Sequence, residues 1–177
     1  MRELSLNVMD VAQNSIVADA RNITIRVMEE GPQLTIEIED DGHGMTPEQL
    51  EHVTDPFFTT RTTRKVGLGV PLFKMQAEMT GGSFIIDSKP GVGTDVKAVF
   101  DTSHVDMTPI GDMESTIHLL ITCNPDSDFV YHRSRDGKAF TLDTKELREV
   151  LGGDVPLNSP DVAMWIKDFL QENLESI

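Results

Sequence analysis

"IEIEDDGHGM", residues 36–45, begins as a strand and ends as a turn. Ile36 and Ile38 alternate with Glu37 and Glu39, the period of a half-buried strand. Asp40 and Asp41 then meet Gly42 and Gly44, where neither a strand nor a helix continues comfortably. Taken alone, Asp-Gly is ordinary turn chemistry. The surrounding chain decides whether this carboxylate pair does more.

Upstream, "NITIRV" and "QLTIEIED" alternate on either side of Gly31-Pro32 and read as a hairpin. Before them, "LNVMDVAQNSIVADA" spaces Leu6, Met9, Val11, Ala12, Ile16 and Val17 as one apolar helical face. Downstream, "TPEQLEHV" is a short helix capped by Thr46 with Pro47 at its first position. "PLFKMQAEM" reads as a helix stopped by Gly81-Gly82. "SFIIDS" and "TDVKAVF" are strands around "KPGVG". This order, α-β-β-α-loop-α-β-β, predicts a two-layer α/β sandwich with helices on one face of a mixed sheet.

The chain has 177 residues, 38% of them hydrophobic and 25% charged, with a net charge of −15. One domain with a small appendage fits that length. The acidity argues against a nucleic-acid surface or an anionic membrane as partner. No apolar run has membrane-spanning length, and "MRELSLNVMD" lacks a signal-peptide core, so the chain reads as cytoplasmic. The single cysteine, Cys123, excludes an internal disulfide framework and a cysteine-based zinc site. Between Asp55 and Glu78 there is no acid, only Arg61, Arg64, Lys65 and Lys74. A basic, glycine-containing island in an acidic chain suits a small anion.

Asp10 and Asn14 lie four residues apart on the first helix, so they share a face, and mid-helix Asp and Asn need a reason beyond capping. After them come "DDGHG", "DPFFTTR", "GLGV" and "GVGT", in that order. Across residues 6–100 the sequence resembles the GHKL superfamily of ATP-binding domains, shared by DNA gyrase, MutL proteins, heat-shock chaperones and histidine kinases. "DVAQNS" looks like the N box; the other motifs look like the first glycine box, the F box, and the second and third glycine boxes. The stretch from the F box onward is most like sensor histidine kinases, whereas "DVAQNSIVADARNITI" is closer to MutL.

The resemblance implies a Bergerat-type fold, ATP and Mg²⁺ as cofactors, and a set of site residues. Asp40 would accept a hydrogen bond from the adenine amino group, an interaction of about 1.5–3 kcal/mol. Gly42 and Gly44 would let the backbone approach the base, and Thr94 would share a water with Asp40. Asn14 would supply an oxygen to Mg²⁺. Gly67, Leu68 and Gly69 would turn backbone N–H groups toward phosphate at a helix start. Thr60, Arg61 and Lys65 fall in the expected ATP lid; Phe57 and Phe58 read from the residues as core anchors, which the resemblance places at the lid's hinge. Asp41 and His43 are expected at the rim as spectators.

Two departures bear on chemistry. MutL and gyrase carry a water-activating Glu where this chain has Asp10, one methylene shorter, and an Asp where it has Val17. Sensor kinases usually have Asn at the first of these positions. None of the five histidines lies in a recognisable phosphoacceptor motif, so any acceptor is expected on another protein.

Residues 1–102 are therefore expected to form the ATP-binding domain, 103–114 a linker, and 115–177 a small acidic α/β extension. In the extension, "TIHLLITC" is expected as a strand, "FVYHRSRDGKAFTLD" as a hairpin turning at Asp136-Gly137, and "TKELREVLGG" as a helix. "SPDVAMWIKDFLQENL" is expected as a helix with Val162, Trp165, Ile166, Phe169, Leu170 and Leu174 on one core stripe. The expected function is a kinase or phosphotransfer component acting on a separate protein. A slow ATPase switch and a non-catalytic ATP sensor are the alternatives, with Asp10 as the candidate catalytic residue.

Overall fold

The computed structural model describes residues 3–55 and 68–177. The elements follow the expected order through the first part: α1 (Leu4–Val17), β1 (Asn22–Glu30), β2 (Gln33–Asp40), α2 (Pro47–His52), α3 (Gly69–Met79), β3 (Ser83–Lys89) and β4 (Gly93–Asp101). α4 (Met113–Cys123), β5 (Asp128–Arg135), β6 (Lys138–Asp143), α5 (Thr144–Leu151) and α6 (Pro160–Ser176) complete the chain. The strands form one six-stranded sheet in the order β3-β4-β2-β1-β5-β6. Among the described residues only β1 and β5 pair in parallel, with Ile23 beside Phe129 and Ile25 beside Tyr131. The sheet is thus mixed, and α1, α3, α4 and α6 pack on one face over a continuous core.

Local signals explain most boundaries. Thr46 and Gln49 form a reciprocal capping box with Pro47 at the start of α2. Asp136 and Gly137, at φ of 48° and 89°, make the tight turn between β5 and β6.

Three expectations are corrected. "TIHLLITC" is the body of α4, a helix capped by Asp112 and seated between α1 and α6. A short apolar run fits either element, and only its neighbours select the helix. The apolar face of α1 is rotated from the expected one. Leu4, Val8, Val11 and Ala12 are buried, whereas Leu6 and Val17 are 48% and 58% exposed. In α6, Val162, Ile166 and Leu170 are buried, but Trp165 faces outward.

The segment after β4 is tied to the first helix: the N–H groups of Leu4 and Ser5 donate to the carbonyls of Pro109 and Ile110, both at 2.9 Å. Further along, Arg133 is buried and pairs with Glu29 of β1 at 3.1 Å. The Tyr131 hydroxyl donates to Glu114 at 2.9 Å, and burial together with that carboxylate pushes its pKa far up. These polar groups lock β5 to β1 and α4.

Candidate functional site

The end of β2, the last turn of α1 and the facing strands β3 and β4 converge on one cavity of about 230 Å³. Ile38, Val11, Val70, Ile86 and Val96 supply apolar walls, and Asp40, Thr94 and Asn14 supply polar points. The period of β2 explains Asp40's place: it follows Leu34, Ile36 and Ile38 on the side facing the helices. Its Oδ1 accepts the Gly42 N–H at 2.9 Å and its Oδ2 accepts the Ser15 hydroxyl at 2.6 Å. Each carboxylate oxygen keeps a further lone pair for a ligand.

Thr94 lies opposite Asp40 on β4. The Ser88 hydroxyl donates to the Gly93 carbonyl at 3.0 Å and accepts the Met45 N–H at 2.8 Å. Its contact with Thr94 Oγ1 at 2.8 Å must then use a Thr94 proton, which leaves the threonine oxygen as an acceptor. Gly44 lines the cavity at φ of 69°, and a Cβ there would stand 2.0 Å from the Lys89 carbonyl oxygen. Gly42 is pressed against Ala18 instead: a Cβ there would fall 2.8 Å from both its Cβ and its carbonyl oxygen.

Asp41 points elsewhere. It accepts from the N–H groups of Arg21 and Asn22 at 2.8 and 2.9 Å and from the Asn22 amide at 2.7 Å. These bonds hold its pKa down against the opposing effect of burial. His43 stands at the cavity wall, its N–H donating to the Ala18 carbonyl at 2.9 Å.

Asn14 lines the cavity from the exposed side of α1, and Asp10 lies one turn before it. α3 begins beside them, with Leu68 at its N-cap position and Gly69 packed so closely that a Cβ would stand 2.8 Å from Asp10 Cβ. Partial desolvation raises the Asp10 pKa above its ordinary value. Phe57, Thr60, Arg61, Lys65 and Gly67 lie outside the described residues.

Sequence reasoning missed Ser15 and Ser88. Ser15 could have been found from its spacing: it continues the buried Val8–Val11 stripe of α1, where a hydroxyl needs a partner.

A model described as histidine kinase-, DNA gyrase B- and HSP90-like ATPase matches residues 1–104. The chain belongs to this ATPase family. Within it, the chain is 27% identical over 175 residues to the sensor kinase CckA of Brucella abortus (strain 2308), covering 86% of this chain and 18% of that protein. It is 38% identical over 61 residues to the sensor histidine kinase DcuS of Escherichia coli (strain K12), covering 34% of this chain and 11% of that one. The chain therefore spans less than a fifth of the length of these relatives. The crystal structure of the N-terminal domain of a DNA repair protein shares the fold, with a TM-score of 0.60 at 15% identity over 81% of this chain and 53% of that one. The family's domain supports ATP binding. Among the described residues no helix is long and apolar enough to cross a membrane.

Proposed function

We propose that this GHKL-family chain is a cytoplasmic ATP-Mg²⁺ module that serves as the kinase or phosphotransfer component for a separate protein. The observation that carries the reading is Asp40, a carboxylate fixed by Ser15 and Gly42 beside the apolar walls of the cavity. Such a site rewards a flat base bearing an amino group and disfavours one with a carbonyl there. The neutral oxygen of Asn14 suits Mg²⁺, which would neutralise phosphate charge when bound. α3 starts beside Asp10, and its N-terminal N–H groups would suit phosphate there. Thr60, Arg61, Lys65 and Gly67 are proposed to add contacts from the lid, and Phe57 its hinge. The net charge of −15 favours a protein partner over nucleic acid.

Asp10 favours a second reading, slow hydrolysis. It is an acid one turn before Asn14 with a raised pKa, suited to accept a proton from an attacking group. Being shorter than Glu, it reaches less far, and a misplacement near 1 Å costs about 10²-fold in rate.

Calorimetric titration of ATP with Mg²⁺ tests the shared premise. Asp40→Asn is expected to weaken binding at least about tenfold, or 1.4 kcal/mol, in a folded protein. Unchanged affinity would overturn the reading. Phosphate release by the purified chain alone would then select the slow ATPase.

A further inference from the structure

The extension beyond residue 104 carries one surface that neither the fold nor the nucleotide cavity uses. α6 buries Val162, Ile166 and Leu170 and turns Asp161, Met164, Trp165, Asp168 and Glu172 outward. Those outward positions recur at three- and four-residue spacing, so they form one continuous stripe. Trp165, the chain's only tryptophan, is 47% exposed. Its ring is stacked on Phe169 at 5.1 Å between centroids and 23° between planes. Phe169 in turn meets Phe140 edge-on at 6.2 Å, and Phe140 meets the buried Tyr131 at 5.9 Å. The indole is thus braced from one side by a ladder that reaches the sheet, with about half of the residue's surface in solvent.

A braced, exposed indole has no packing reason to be a tryptophan. Its flanks supply one. Asp161 stands one turn before it and Asp168 three residues after it, both exposed, and Glu172 extends the stripe. Lys167, the one base on α6, lies off the stripe. An aromatic face flanked along its helix by carboxylates matches a guanidinium, which stacks on the ring and bonds the acids beside it. A second copy of this chain fits poorly, because it would bring the same carboxylates against themselves. We infer that the Trp165 stripe of α6 docks an arginine-bearing helical segment of a protein partner, with Trp165 as platform and Asp161 and Asp168 as the acids that fix the guanidinium.

Because Trp165 is the sole tryptophan, its fluorescence reports occupancy of this surface alone. The test titrates the whole chain with a short amphipathic peptide bearing arginines one helical turn apart. A control peptide carries citrulline, of the same shape without the charge, in their place. The arginine peptide is expected to give a saturable emission change. Citrulline replacement, or the surface double variant D161N/D168N, is expected to weaken binding at least tenfold. Trp165→Leu, followed by calorimetry, is expected to abolish it, while far-UV dichroism shows the fold retained. No saturable change, or equal binding of the citrulline peptide, would overturn the proposal. So would a concentration-dependent dimer that shields Trp165, which would assign the stripe to a second copy.

Discussion

Ser15 donates its hydroxyl to Oδ2 of Asp40 across 2.6 Å, and so ties the last turn of α1 to the end of β2 at the cavity. The same helix presents Asn14 to that cavity, so one bond sets the spacing between its two polar ends. Ser15 is almost fully buried, and removing its hydroxyl leaves a carboxylate oxygen short of a partner. Ser15→Ala is expected to lower ATP affinity about tenfold while Asp40 remains in place. Combined with Asp40→Asn, its effect should be less than additive, because both act on one network. Calorimetric titration of the two single variants and the double variant checks this.

Asn14→Ala is expected to change the metal dependence of ATP binding more than the binding itself. In the parent chain, raising Mg²⁺ should tighten ATP; in the variant that slope should flatten. ATP titrations across a Mg²⁺ series decide it, and equal slopes would remove Asn14 from the metal site.

Asp10 can act as a base only when ionised. Desolvation raises its pKa, so turnover should fall with decreasing pH at a point above the ordinary aspartate value of about 3.9. Asp10→Asn should erase that acid limb. Asp10→Ala should lower turnover about 10²–10⁴-fold with far less effect on nucleotide affinity, since a base works in the transition state. Wild-type turnover in Asp10→Ala would leave the chain a nucleotide sensor.

Asp41 should separate from Asp40 in every assay. Its bonds to Arg21 and Asn22 hold the start of β1 rather than the cavity. Its folded-state pKa is depressed, so the stability it contributes is present above the ordinary carboxylate range and lost as pH falls through the folded value. Asp41→Ala is expected to lower the melting temperature at neutral pH and to flatten its acid dependence, with ATP affinity nearly unchanged. Thermal melts across that pH range measure it.

The strands and helices through β4 were legible because alternation, caps and glycines punctuate them. Asp40, Gly44, Asn14 and Thr94 were grouped through the resemblance to the GHKL family, and all four line the cavity. The phase of α1 was not, because Leu6 and Val17 are apolar yet exposed, and Ser15 is polar yet buried. Composition cannot reveal that exchange; only the partner on β2 does. α4 was hidden by a run too apolar to show a period. The parallel pairing of Asn22 with Asp128 joins positions too distant in sequence for any local pattern to show.

The β1–β5 pairing also closes one edge of the sheet. β1 sits inside the sheet only because β5 covers its second side. Were the chain cut after Asp101, β1 would become a rim, with a row of unmatched N–H and C=O groups along Ile23, Ile25 and Val27. An open rim of that kind recruits other strands. The same cut would strip α4 from the flank of α1 and wet the apolar side chains it covers. The family match ends at residue 104, yet a fragment stopping there would keep its nucleotide motifs and lose the guard on its flank. In this chain β5 occupies that rim, so β1 presents no open edge.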